Sequence, residues 1–487
     1  MFNRLKKIFK RINIIIILFI AFIITSCGEV MDKMAGRSTA TPFGIQLSNP
    51  RPGIWEEVTV QVIVNNPYNH QLEYRFVADR GKILASNDLT SPVVKYYAPF
   101  TGGDDTIRVT IRDRNDNINL APLSQTFTVY GESVVYVELP EGTSSLKDTE
   151  NGKIKIASLV GTFQNKDLAI GRNPTISPDG RYVAYTYYPG DGTSQIYIKD
   201  PLGTQTNLTQ NHKSFNTEPT WSPIFPDGKL HLAFASDRLS TVTGSSVEGR
   251  GQYFHIWRMN IIDRTAIQIT NTAGNDRQPS WSPVNGNSIV FSSDFDSNKA
   301  NNFRNLWEID IQRGNLRQLT HEKVTDKGAF EPSWSPDGTK IAYTRKYLQR
   351  AMQSGTAPLE NFQKIWLIDI NLFNTTSDIG FGFPASRQVD VGVIESSPTW
   401  SPDGRKITYT QLRGTESNVV SIETNQIPRD TRGFGPIMNP FPENLSRAIE
   451  IKWANQAKIF SNPYGYGGGY GSGTGYPPGT TYLSIIK

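Results

Sequence analysis

The sequence predicts an all-β protein, an antiparallel sandwich over residues 43–131 followed by a six-bladed β-propeller over 132–487. Three observations lead there. A Pro-x-Trp-Ser-Pro motif recurs along the second part. Short runs of alternating apolar residues separated by turn clusters fill the first. Gly (41) and Pro (30) are abundant in a chain of 487 residues, as many short strands joined by tight turns require. At this length two or three domains are expected.

Residues 1–26 read as an export leader. Arg4, Lys6, Lys7, Lys10 and Arg11 precede an apolar run from Ile14 to Ile24. That run falls well short of the ~20 residues that span a bilayer and fits the core of a signal peptide. Ile24-Thr25-Ser26-Cys27 follows, an aliphatic residue and two small ones before the chain's single cysteine. It resembles the lipobox of bacterial lipoproteins. The resemblance implies that Cys27 is acylated, becomes the mature N-terminus and anchors an otherwise soluble protein to a membrane. Gly28, where many inner-membrane lipoproteins have Asp, points by the same resemblance to the outer membrane. One cysteine excludes disulfides within the chain, so packing holds it together.

Basic residues number 50 and acidic residues 45. The leader holds five of the basic ones and no acid precedes Glu29. Removing residues 1–26 therefore leaves 45 of each and no net charge. That balance argues against nucleic acid as a partner, which needs a basic footprint.

Residues 27–42 are small, polar and aperiodic, and read as a tether. From Phe43 to Gly131, runs such as Val58–Val64, Leu72–Val77, Val93–Tyr97, Ile107–Ile111 and Thr126–Tyr130 alternate with clusters such as Thr101-Gly-Gly-Asp-Asp105. Six or seven strands in about 90 residues suggest a sandwich. The stretch from Tyr97-Ala-Pro99 through Ile107–Asp113 resembles bacterial immunoglobulin-like domains. Trp55 is assigned to core packing, and Asp104 and Asp105 to a hairpin loop.

The repeat reads NPTISPDGRYVAYT (173–186), EPTWSPIFPDGKLHLAFAS (218–236), QPSWSPVNGNSIVFSS (278–293), EPSWSPDGTKIAYT (331–344) and SPTWSPDGRKITYT (397–410), with a weaker copy IEIKWANQAKIFS (449–461). The aligned positions are Ile176, Trp221, Trp281, Trp334, Trp400 and Trp453, and their spacing marks a solenoid or a propeller. Pro-x-Trp-Ser-Pro is too proline-rich for a helix. Asp-Gly or Asn-Gly then signals a tight hairpin. Two apolar strands and a short fourth one complete each copy, such as Lys340–Thr344, Lys364–Ile368 and Gln318–Thr320. Four antiparallel strands repeated six times form a ring of blades, because an open stack would leave unpaired edges. One tryptophan per blade is read as packing between blades, and the acids of Ser-Pro-Asp-Gly as turn residues.

These copies resemble the WD-like repeats of the TolB family over roughly residues 150–487. The resemblance implies a propeller with a role in the cell envelope. It does not extend to the N-terminal part, where that family places an α/β domain.

The last copy is expected to supply an inner strand near Lys452-Trp453, a second at Ala457–Phe460 and a third at Tyr482–Ile486. A strand from 153–170 would then close the ring. The connections after second strands are long, at about 236–254, 292–305, 345–364 and 461–480, and crowd one rim. Long loops on a rigid scaffold carry function. The partner-binding candidates there are Tyr253, Phe254, Phe303, Arg345 and Tyr347, with Tyr464, Tyr466, Tyr470 and Tyr476 in a segment that alternates Gly and Tyr. Tyr offers large contacts at low entropic cost and Gly lets the backbone adapt.

No catalytic constellation, metal site or cofactor motif stands out. A Gly-x-Ser-x-Gly elbow and a phosphate-binding loop are both missing. His212 and His321 follow fourth strands, where propeller lyases of pectic oligosaccharides hold a metal. The first reading is a membrane-anchored, non-enzymatic scaffold for an envelope protein or a peptidoglycan-associated complex. The alternatives are a metal-dependent polysaccharide-active enzyme resembling oligogalacturonate lyase, and a purely structural envelope component.

Overall fold

A computed structural model describes residues 40–453 apart from 85–87, 142–149, 160–163, 211–212, 225–228, 241–245, 285, 296–302, 323–325, 351–358, 371–382, 385–392, 415, 427–438 and 441–447. Cys27, Tyr464, Tyr466, Tyr470 and Tyr476 lie outside the described residues.

The first part is a two-sheet antiparallel sandwich. One sheet pairs Thr41–Leu47, Glu57–Asn65, Val93–Tyr97 and Lys82–Ile83, and the other sets Leu72–Ala78, Ile118–Asn119 and Leu123–Val129 against Gly103–Asp113. Alternation decides the inner faces. Val58, Val60 and Val62 turn inward from the first sheet, and Ile107, Val109 and Ile111 from the second. Asp104 and Asp105 sit in the strand Gly103–Asp113 rather than in a hairpin loop. Asp105 is buried and accepts the N–H groups of Arg80 (2.9 Å) and Gly81 (2.6 Å) and the Tyr96 hydroxyl (2.6 Å).

The second part resolves, among the described residues, into six four-stranded groups. The first is 172–176, Val183–Tyr187, Gln195–Lys199 and Gln205–Asn207; the second starts at Asn216–Trp221, the third at Asp276–Trp281, the fourth at Asp326–Trp334 and the fifth at Val393–Trp400. Each inner strand touches the inner strands of the groups on either side, and Ala448–Trp453 touches both Val393–Trp400 and Gln164–Ile176. The ring is therefore closed.

Strands from 153–170 do complete the last group, as the sequence predicts, but the strand next to the inner one differs from the expectation. Ser133–Glu138 takes the place beside Ala448–Trp453, Gly152–Ser158 pairs with it, and residues 164–171 form the outer strand. Three strands of the last group thus come from the N-terminal side. The physical reason lies in Ser133–Glu138 itself, which is buried from Ser133 through Val137. A strand covered on both faces is apolar throughout and does not alternate. Ala457–Phe460 and Tyr482–Ile486 lie outside the described residues.

The tryptophans pack between groups. Trp221 joins a core with Ala184, Ile196 and Ile198 of the preceding group, and its indole N–H donates to the Thr175 carbonyl (3.1 Å). Trp400 donates likewise to the Ser333 carbonyl (3.0 Å) and Trp453 to Thr408 Oγ1 (2.9 Å). The Ser-Pro-Asp-Gly acids cap turns. Asp403 accepts the Ser401 hydroxyl (2.6 Å) and the Arg405 N–H (3.0 Å). Burial pushes its carboxyl up, but those donors outweigh it and hold it below the usual range.

Two of the connections read as loops are mostly strand. His231–Ser240 pairs with Ser246–Asn260 out to Ser240↔Ser246, and Lys340–Arg350 with Leu359–Asp369 out to Arg350↔Leu359. The rim carries projecting hairpins there.

Candidate functional site

The inner strands build the channel. In all six, one residue adopts the left-handed conformation: Asn173, Glu218, Gln278, Glu331, Ser397 and Glu450, with φ between 49° and 58°. Non-glycine residues seldom do so, and the conformation costs on the order of 1 kcal/mol each. The ladder shifts register at these points, between Thr217 and Thr220 or Ser396 and Thr399, for example. Each is a β-bulge, and the six residues all line the central cavity.

The bulges are linked across blades. The N–H of Gln278 donates to Glu218 Oε2 (2.8 Å), that of Glu331 to Gln278 Oε1 (2.9 Å), that of Ser397 to Glu331 Oε2 (2.7 Å) and that of Asn173 to Glu450 Oε2 (2.6 Å). Arg277 adds Nε and Nη2 bonds to Glu218 (3.0 and 2.9 Å), and Arg172 pairs with Glu450. The channel carboxylates thus serve as inter-blade acceptors.

The cavity has a volume of about 340 Å³ and runs from the bulges to the prolines of the Ser-Pro turns, such as Pro178, Pro283 and Pro402. Two positions beyond the bulge, five strands present a hydroxyl and the sixth presents Lys452. Burial holds the Lys452 ammonium below its ordinary range, opposed by the fields of Glu331 and Glu450.

Of the rim candidates, Tyr253 and Phe303 are half-buried. Phe254 is half-buried, 6.3 Å from the Phe215 ring, with the Arg277 guanidinium 4.3 Å from its centroid. Since Arg277 also holds Glu218, Phe254 is coupled to the channel ring through one arginine. Arg345 packs 4.3 Å from the Trp366 centroid and 5.1 Å from that of Tyr347, and its Nε bonds both Glu322 oxygens at 2.9 Å. Tyr347 is only 5% exposed, edge-on to Trp366 at 5.9 Å. It packs the hairpin base and presents little surface, because its strand continues past it as a paired hairpin.

The opposite face, where first-to-second turns emerge, meets the sandwich. Gly180 O accepts the Phe100 N–H (2.8 Å), Ser133 Oγ donates to Phe100 O (2.6 Å), and Arg80 Nε donates to Asp179 O (3.0 Å). Trp55 packs against both the sandwich core and the first propeller core.

His321 is exposed, and His212 lies outside the described residues. Among the described residues, the group able to share an ion is His70, Asp113 and Asp116, in the sandwich. There His70 Nδ1 lies 2.7 Å from Asp113 Oδ2, while Asp113 Oδ1 accepts the Asn115 N–H (2.9 Å) and the Asp116 N–H (3.2 Å). The arrangement ties the start of one strand to a turn.

A closed ring of four-stranded antiparallel groups around a polar channel defines a β-propeller protein, here with a sandwich docked on its turn face. The family model described as the TolB beta propeller domain matches residues 174–354. The chain belongs to the TolB-type β-propeller family. The Tol-Pal system protein TolB of Francisella tularensis is 27% identical over 388 residues, covering 72% of this chain and 78% of that one. An uncharacterized protein of Agrobacterium fabrum is 31% identical over 239 residues, 48% of this chain and 68% of the relative. The crystal structure of TolB from Acinetobacter baumannii aligns with 78% of this chain and 83% of its own, at 17% identity and a TM-score of 0.42.

Proposed function

We propose that this chain is a lipid-anchored protein of the bacterial cell envelope, held at Cys27 in the outer membrane. Its propeller serves as a non-enzymatic scaffold for another envelope protein or a peptidoglycan-associated complex. The observation that carries this reading is the division of labour between the two faces. The sandwich occupies the turn face at the first blade, through Phe100, Arg80 and Gly180. The opposite face keeps the projecting hairpins, and Phe254 there is coupled through Arg277 to the channel ring. Relatives named for the Tol-Pal system support an envelope interaction role. The sandwich, read as immunoglobulin-like, spaces the propeller from the membrane.

The test is capture from detergent-solubilised envelope by the immobilised full chain, with cross-linking. Replacing 463–479 by a short Gly-Ser linker, or Phe254 by Asp, is expected to abolish capture of the partner while the propeller stays folded. Unchanged capture by both variants would move the partner to another face.

A further inference from the structure

We propose that the channel cavity is a carboxylate-binding site in which Lys452 holds the anion, assisted by the hydroxyls at its own level. The geometry is a ring. Thr175, Thr220, Ser280, Ser333 and Thr399 stand two positions past their bulges, and Lys452 stands at the equivalent place in the sixth strand. All six line the cavity. Ser280 Oγ accepts the Trp334 N–H (3.4 Å) and Thr399 Oγ1 the Trp453 N–H (3.3 Å). Each of these two hydroxyls keeps its own hydrogen to donate. Hydroxyls level with an ammonium are able to take up an anion.

The ammonium supplies the positive charge. Among the described residues no carboxylate lies within ion-pair distance of Lys452. The two whose fields reach it are committed. Glu450 holds Arg172 and the Asn173 N–H, and Glu331 holds the Ser397 N–H and the Thr344 hydroxyl (2.8 Å). Five blades build the same strand with Ser or Thr, so the fold does not require a lysine here. A cation drawn from water without a partner is costly, and a carboxylate entering the cavity would relieve that cost by a charge-assisted hydrogen bond. At about 340 Å³ the cavity admits a small organic acid or the last residues of a peptide chain. Both bring the same carboxylate. This site occupies the half of the channel nearer the turns and does not depend on the hairpin-face reading above.

The experiment titrates the full chain with succinate, triglycine and triglycine amide, read by calorimetry and by the fluorescence of the channel tryptophans. Saturable binding of at least one acid is expected, with the amide at least about tenfold weaker than triglycine if a chain terminus is the ligand. Succinate binding more tightly than triglycine assigns the site to free acids, and the reverse assigns it to a peptide end. Lys452→Thr, the residue type of other blades, should lose at least about tenfold in affinity with an unchanged melting midpoint, and Lys452→Arg should retain binding. If Lys452→Thr fails to fold, Lys452→Gln gives the same readout. Absence of saturable binding by either acid, or equal binding by the charge-free variant, overturns the proposal.

Discussion

The Glu450 carboxylate accepts the backbone N–H of Asn173 at 2.6 Å, joining bulge residues 277 positions apart. This contact spans the seam at which the ring closes. Arg172 Nε reaches the other carboxylate oxygen at 2.6 Å. Truncating Glu450 to Ala orphans the Asn173 N–H, a loss of about 1–3 kcal/mol, and takes one acceptor from the Arg172 guanidinium, which keeps the Glu150 carbonyl (3.3 Å). Glu450→Gln keeps an acceptor and should cost about half as much. Urea unfolding followed by tryptophan fluorescence checks both variants, and an Ala variant with an unaltered midpoint would remove the seam from the account of stability.

Much of this was legible from the repeat. Trp221 to Trp453 mark one packing position per blade, and Asp403-Gly404 and its equivalents mark turns, because both are local consequences of residue type. The closing strand was not legible, since Ser133–Glu138 is a short apolar run whose partner, Ala448–Trp453, lies over 300 positions away. Nor were the hairpins at 238–250 and 345–364, whose pairing is a property of two strands together. The left-handed bulges were hidden as well, because Glu and Gln rarely adopt that conformation. Lys452 did leave a signal, a charged residue where the aligned copies have Ser or Thr.

Anchoring is tested by Cys27→Ala. The acylation expected at Cys27 supplies the membrane affinity, so the variant should leave the membrane pellet as a soluble or precursor form. Radiolabelled palmitate should mark the wild type alone. A processed Cys27→Ala protein that still sediments with membranes would refute lipid anchoring.

Gly180 sets the junction of the two domains. Its φ is +73°, and an added Cβ would run into Thr101 Oγ1 and meet the Thr101 N at 2.8 Å. Gly404 has φ +72°, but there the nearest atom is Pro336 Cδ at 3.7 Å. Ala at either site incurs a backbone cost of about 1–2 kcal/mol. Only Gly180→Ala should also push the Thr101 segment away and expose the junction to protease. Limited proteolysis of the pair separates the effects: faster cleavage near residue 100 in Gly180→Ala but not in Gly404→Ala. Equal cleavage would mean that this turn does not hold the sandwich.

The last prediction concerns a buried charge pair between two blades. Lys364 Nζ lies 3.4 Å from Glu395 Oε1, both side chains are fully buried, and Glu395 Oε2 also accepts the Ile365 N–H (3.2 Å). The pair joins the third strand of the fourth blade to the inner strand of the fifth, where a single parallel bridge, Gln363↔Ile394, is the only ladder contact among the described residues. Two charges removed from water attract strongly, but desolvation offsets most of that gain. Removing one partner leaves the other without its counter-charge, so Glu395→Leu or Lys364→Met alone should cost about 3–5 kcal/mol. The double variant Lys364→Met, Glu395→Leu replaces both with apolar groups of similar size and should recover the charge-related part of the loss, while the Ile365 N–H that loses its acceptor keeps a residual cost of about 1–3 kcal/mol. A double-mutant cycle by urea denaturation reads the coupling directly. Additive single losses would show that the two groups act separately and that the blades are held at this point by packing alone.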